Sequence, residues 1–209
     1  AILAAVRPGL AQRFSFARDF STGFLPNRDY RSLALSSQTT ASTPLGETAV
    51  TLGHADRPFG ADLFYGNYHS WERTKTWFAS LRQSLGGGAQ AAFGFRRHTD
   101  LFVLERYRPE LYTNRHAVES YQGAVRRRDA LGSNTSLHYG AEVTGDTIAS
   151  NNLGSHRRAG GAAYLALDAR ALRRFSFSAG LREQLHGAGR FQLSPSLAGG
   201  AWLTSSLKI

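Results

Sequence analysis

Two residue types are missing altogether: the 209-residue chain has no cysteine and no methionine. Without cysteine there are no disulfides, no thiolate nucleophile and no sulfur-built zinc site, which suits an envelope protein that has no need of thiols. Without methionine, and opening on the unexceptional apolar run 1–6, the sequence is expected to be a piece of something longer. No stretch approaches the roughly 18 uncharged apolar residues of a transmembrane helix. Ile2, Leu3 and Val6 make too short an apolar region for a secretory signal, and no basic segment precedes them.

Lysine is scarce as well: only Lys75 and Lys208 among 25 basic residues, the other 23 being arginine. With 15 acidic residues the formal charge is +10. A balance so basic raises nucleic-acid binding, but the arginines are scattered singly or in short runs such as Arg96-Arg97, Arg126-Arg127-Arg128, Arg157-Arg158 and Arg173-Arg174. That scatter reads as a solvated or lumen-facing surface, with no nucleic-acid partner. Length excludes little, since it would hold one or two soluble domains.

What is present is 22 glycines, 13 Phe, 8 Tyr and 3 Trp among many Ser, Thr and Asn, with 42% hydrophobic residues. That is neither a helical membrane protein nor a disordered tail. The apolar residues recur with a period of two, the mark of strands. Ala91, Phe93 and Phe95 alternate with Ala92, Gly94 and Arg96, and Leu137, Tyr139, Ala141 and Val143 alternate with His138, Gly140, Glu142 and Thr144. Phe175, Phe177, Ala179 and Leu181 alternate with small or polar residues, and Leu165 and Leu167 continue a weaker ribbon from Ala163 to Ala169. Eleven strands follow, at about 10–20, 30–40, 47–54, 72–84, 89–97, 116–128, 133–145, 158–168, 174–185, 190–197 and 201–209.

The links between them sort by length. Short ones (41–46, 85–88, 129–132, 169–173, 198–200) alternate with longer ones (21–29, 55–71, 98–115, 146–157), and only 186–189 is short where a long link is due. Long and short ends on opposite sides, joined by amphipathic strands, predict an antiparallel transmembrane β-barrel meander, all-β, with short periplasmic turns and longer extracellular loops. A soluble Greek-key sandwich gives alternation without that sorting. The small and polar parity, with Gly94, Gly140, Ser176, Ser178 and Arg96, would face a wet or plugged lumen, and Trp71, Trp77, Tyr121, Tyr139 and Trp202 are girdle candidates. An odd strand count with apolar strands at both ends implies missing partners, because an unpaired edge in hydrocarbon costs several kcal/mol per unsatisfied group.

The segment Ser21-Thr22-Gly23-Phe24-Leu25-Pro26-Asn27-Arg28-Asp29-Tyr30-Arg31 resembles the early barrel of TonB-dependent outer-membrane receptors, particularly the cobalamin-receptor-like branch. The resemblance runs on through Arg57-Pro58-Phe59-Gly60-Ala61-Asp62-Leu63-Phe64-Tyr65-Gly66, Ser70-Trp71-Glu72-Arg73-Thr74, Phe93-Gly94-Phe95-Arg96-Arg97-His98, Tyr112-Thr113-Asn114-Arg115-His116 and Ser150-Asn151-Asn152-Leu153-Gly154. It implies that residues 1–209 are part of a barrel domain of about 22 strands closed by its own plug domain. It also implies localisation in the bacterial outer membrane, contact with outer-membrane lipid and lipopolysaccharide, and uptake of a small-molecule ligand such as cobalamin, a siderophore or a similar metal chelate. Energy would come from an inner-membrane TonB complex acting on the parent protein. The plug and remaining strands are expected outside this chain, and Ile209 is not the terminal aromatic of a complete barrel.

Candidate ligand contacts are loop aromatics and arginines: Phe64, Tyr65, Tyr68 and Trp71 on one loop, and Tyr107, Arg108, Tyr112 and Arg115 on the next. Rigid aromatics stack on planar or amphipathic ligands, and a collar of Arg106, Arg108 and Arg115 flanking Tyr107 and Tyr112 suits anionic ones. The same residues would also serve a loop that packs on its own rim. Six of the seven histidines fall in or beside the outer links, but no pair has ligand spacing, so neither metal nor cofactor is expected. No nucleophile elbow, Walker loop or His-Glu-x-x-His is present, which points away from an enzyme. An outer-membrane barrel enzyme, a porin-like channel and a soluble basic β-domain are the alternatives.

Overall fold

The protein, seen in a computed structural model, is described over residues 1–171, 174–187, 189–202 and 209. Eleven antiparallel strands form one sheet in strict chain order: β1 (Ile2–Arg7), β2 (Leu10–Ser21), β3 (Tyr30–Thr43), β4 (Gly46–Asp62), β5 (His69–Gly86), β6 (Ala89–Val103), β7 (Thr113–Ala130), β8 (Thr135–Ser150), β9 (Gly154–Ala171), β10 (Phe175–His186) and β11 (Arg190–Ala201). Ten of these were expected. β1 was not, and the strand expected at 201–209 lies from 203 to 208 outside the described residues.

The pairing register shows what each parity does. One row across β4 to β11 reads Val50, Leu81, Phe93, Gly123, Val143, Gly161, Leu185, Phe191. The row one residue along reads Thr51, Ser80, Gly94, Gln122, Thr144, Gly160, His186, Arg190. The sheet therefore has an apolar face and a polar face, and the apolar side chains are bare: Val143 is 63% exposed and Leu197 74%. An apolar sheet face left uncovered over eleven strands needs a nonaqueous partner, and lipid is the one such a barrel wall meets.

Two belts bound this face. At the outer end Trp77 stacks on His54 with ring centroids 3.9 Å apart, Arg97 pairs with Glu119 at 2.8 Å, and the Tyr121 hydroxyl donates to Glu119 at 3.0 Å. At the end of the short turns, Asp129 accepts from Arg127 at 2.8 Å and from the Tyr139 hydroxyl at 2.9 Å. Glu119 and Asp129 lie on the same strand, and at about 3.4 Å per residue with a tilt near 40° they are roughly 26 Å apart in height, matching an apolar band of about 25 Å. Of the girdle candidates, Trp77, Tyr121 and Tyr139 take these places. Between the belts Glu183 is the one charged residue on the apolar parity among the described residues, and nothing in the structure explains it.

The turns at one end are short, at 8–9, 44–45, 87–88 and 131–134. At the other end the connections are 22–29, 63–68, 104–112 and 151–153, so the long links expected at 55–71 and 146–157 are mostly strand and that at 98–115 is half strand. β4 to β9 have 17, 18, 15, 18, 16 and 18 residues, against the 9–11 that cross a bilayer. An 18-residue strand is roughly 47 Å tall at that tilt, so the ladder rises about 20 Å beyond the band. Above the band both faces are wet and alternation has no cause, which is why the sequence pattern stops before the hydrogen bonds do.

Candidate functional site at the outer rim

Close packing in this open wall is concentrated at its outer rim. Six of the seven buried residues among those described lie there: Gly60, with Ala61 and Ser70 at 0% exposure, Val103 at 6%, Asp56 at 7% and Glu105 at 8%. Three connections interlock around them. The Asn27 side-chain amide donates to the Ser70 carbonyl at 2.8 Å, and Gly60 N donates to the Asp29 carbonyl at 2.7 Å. Ser70 Oγ donates to the Leu104 carbonyl at 2.8 Å, and Arg106 N donates to the His69 carbonyl at 2.8 Å. The approach of 22–29 to β4 leaves no room at Gly60, where a Cβ would lie 2.9 Å from Asn27 Oδ1 and closer still to the Asn27 carbonyl. Asn27 and Leu63 hold positive φ, 54° and 61°, to make these corners.

Arg106 closes the assembly. Its guanidinium donates to Asn27 Oδ1 at 2.8 Å and to both oxygens of Asp29, the second at 3.1 Å. Hydrogen bonding to Arg106, the largest influence, holds the Asp29 carboxyl below the ordinary carboxylate range, against some desolvation, and raises Arg106 in turn. On the apolar-parity side of the rim, Asp56 takes a fork from Arg73 at 2.8 and 2.7 Å and has Arg31 at 3.7 Å.

The eight candidate residues separate into groups. Tyr65 and Tyr112 come together through Phe102, whose ring lies 5.0 Å from Tyr65, nearly perpendicular at 81°, and 6.3 Å from Tyr112. Phe102 pairs in register with Glu72, on the polar parity, so this aromatic group belongs to the lumen side of the mouth. The Tyr65 hydroxyl donates to Glu72, and that bond, with desolvation and the nearby Asp100, pushes the phenol up to about 12. Phe64 instead lies under the Arg28 guanidinium at 4.3 Å. Tyr68 is 44% exposed beside Gly66, and Tyr107 is 75% exposed next to Arg108 on 104–112. Trp71 and Arg115 are strand residues of the apolar parity, in register with Val103 and Leu101, and are not part of the lumen-side group. Sequence reasoning missed Phe102, Glu72 and Arg28, and it expected Arg106 in an anion collar, whereas Arg106 is bound to Asn27 and Asp29. Their signal, polar and aromatic residues in or beside expected loops, is shared by many residues that do nothing of the kind.

Further down the polar face Asp146 accepts from Ser120 Oγ at 2.6 Å and from Arg158 at 2.7 Å, and Glu142 pairs with Arg182. His98 contacts Thr76 and His116 contacts Ser150, each at 2.8 Å, and no group of three metal-ligating residues forms among the described residues. Ser136, His138 and Asp168 meet near the short turns, but Ser136 at 3.1 Å and Asp168 at 3.0 Å both approach Nε2. A hydrolytic relay needs serine on one ring nitrogen and the carboxylate on the other, and this group does not have that geometry.

No protein-family model matches the chain, and no curated protein matches it. Solved structures do. The siderophore receptor PirA from Pseudomonas aeruginosa superposes with a TM-score of 0.74 at 15% identity, over 97% of this chain and 36% of that one. The unliganded ferric citrate transporter FecA superposes at 0.58 with 11% identity, over 99% of this chain and 39% of that one. The chain has the fold of the wall of an outer-membrane receptor barrel. It spans a little over a third of the length of these structures.

Proposed function

We propose that this chain is part of the barrel domain of a TonB-dependent receptor in the bacterial outer membrane. It would form about half of a wall of about 22 strands that surrounds the parent's own plug. The observation that carries this reading is the likeness to a siderophore receptor along 97% of the chain, combined with an aromatic group on the lumen parity at the outer mouth. In this reading Tyr65, Phe102 and Tyr112 offer ring edges and faces to an incoming chelate, while Arg108 and Arg28 add positive charge for an anionic one. The role is capture and passage without covalent chemistry, driven through an inner-membrane TonB complex. A ferric chelate is the first ligand to test, given what PirA and FecA carry in their names, and cobalamin the second.

The test is uptake of radiolabelled ferric siderophores, ferric citrate and cobalamin by receptor-deficient cells that express the full-length parent. Saturable uptake of one ligand, abolished by a protonophore, is expected. Replacing Tyr112 with Ala should weaken surface binding of that ligand by up to about tenfold, the usual worth of one stacked aromatic. Non-saturable, energy-independent flux of small sugars would instead identify a porin-like channel and overturn the reading.

A further inference from the structure

The aromatic group on the lumen side of the mouth carries a charge sign of its own. On the polar parity of β5 and β6, Glu72 stands opposite Phe102, and Asp100 stands opposite Thr74 in the next row inward. Glu72 and Asp100 are diagonal neighbours on one face, about 7–8 Å apart. Two carboxylates therefore share the stretch of wall that bears the Tyr65, Phe102 and Tyr112 rings.

Neither carboxylate is neutralised. Glu72 and Asp100 form no ion pair among the described residues, and Arg57, on the same parity and in register with Thr74, joins neither of them. His116, in register with Asp100, faces Ser150 at 2.8 Å. Asp100 Oδ1 is buried without a hydrogen-bond partner, where a buried carboxylate oxygen ordinarily takes a donor. Glu72 accepts the Tyr65 hydroxyl, so the Tyr65 oxygen has only lone pairs left to offer.

The rings fit the same partner. Tyr65 and Tyr112 are 52% and 43% exposed. Phe64 already carries the Arg28 guanidinium at 4.3 Å, whereas no cation of the described residues stacks on Tyr65, Phe102 or Tyr112. Open aromatic faces beside two unpaired carboxylates attract a cation and repel an anion.

From this juxtaposition we infer that the ligand of the proposed receptor enters with a cationic arm, a primary or quaternary ammonium or a guanidinium. The arm sits among Tyr65, Phe102 and Tyr112, with Glu72 and Asp100 as its counter-charges. These two carboxylates determine specificity, while Arg28 and Arg108 on the connections serve the anionic part of the same ligand. The inference rests on the receptor reading above and narrows its ligand to a cationic or zwitterionic chelate.

The test uses the full-length parent in a non-ionic detergent and two small probes of one shape, choline and its uncharged isostere 3,3-dimethyl-1-butanol, with affinities read by saturation-transfer NMR. Choline should bind about tenfold more tightly than the alcohol, the worth of one partly desolvated cation on aromatic faces. The isosteric Glu72→Gln/Asp100→Asn variant keeps an acceptor for Tyr65 and should bind the two probes within about twofold of each other. Tyr112→Leu, at an exposed ring, should reduce the preference for choline about threefold. Equal binding of the two probes by wild type overturns the cation site, and so does an undiminished preference in the double variant. Saturable, protonophore-sensitive uptake of a ferric chelate leaves the receptor reading standing when the site fails. Energy-independent flux of sugars overturns that reading, and with it the role of the site in selecting a ligand.

Discussion

Replacing Arg106 with Ala should loosen the outer rim while leaving the wall below it intact. The change removes three charge-assisted contacts, to Asn27 Oδ1 and to the two oxygens of Asp29. Such contacts are worth about 1.5–3 kcal/mol each when well shielded. Here the Arg106 and Asp29 side chains are 30% and 38% exposed, so solvent screening reduces the pair to about 1–2 kcal/mol in total. That corresponds to roughly a 5- to 30-fold larger open population of the interlocked connections. Hydrogen exchange on the purified parent reads it directly at the amides of Asp62 and Arg106, which bond across this junction. The wild type should also show an acid step. Because the Asp29 carboxyl is held below its ordinary value, its contribution is complete above about pH 4 and is lost as pH falls through the lowered value, whereas the variant shows no such step. Unchanged exchange at Asp62 and Arg106 would refute the reasoning, and so would accelerated exchange throughout β7 and β8, which would mean that Arg106 supports the wall and not the rim.

Val143→Arg places a charge midway across the apolar band and should cost about 2–4 kcal/mol in refolding of the parent into lipid vesicles, while Gln122→Arg on the polar face should stay within about 0.5 kcal/mol; equal costs would undo the assignment of faces. Asp56→Asn leaves the half-buried Arg73 without its fork and should cost about 2 kcal/mol, seen as a lower urea midpoint for rim proteolysis, and an unmoved midpoint would show that Asp56 does not anchor the rim.

How much of this was legible beforehand follows from where each residue has two different solvents. In β6 and β8 the alternation of Phe93 and Phe95 with Gly94, and of Ala141 and Val143 with Glu142, is enforced by lipid on one side and water on the other, and it could be read directly. β1 was not legible because Ile2, Leu3, Ala4, Ala5 and Val6 are apolar on both parities, although Gly9 with φ 75° marks its turn. The strand ends above the belt read as loops in the sequence since Arg57, Pro58 and Phe59 carry no apolar period, although they pair in register with Thr74, Arg73 and Glu72. At the rim, Tyr65 and Tyr112 were singled out by type and place. What joins them is Phe102, and what locks the rim is a contact between residues 77 apart in sequence, neither of which composition or spacing can announce.

That separation bears on how the wall is assembled. Each ladder joins only strands adjacent in the chain, so pairing can advance one hairpin at a time with small loop-closure entropy at each step. The Arg106–Asp29 clamp cannot form until β3, β4, β5 and β6 are all in register, because a slip of one residue in any of them carries the two groups apart and turns their side chains to opposite faces. The rim thus acts as a proofreading latch that fastens only on a correctly counted β3 to β6.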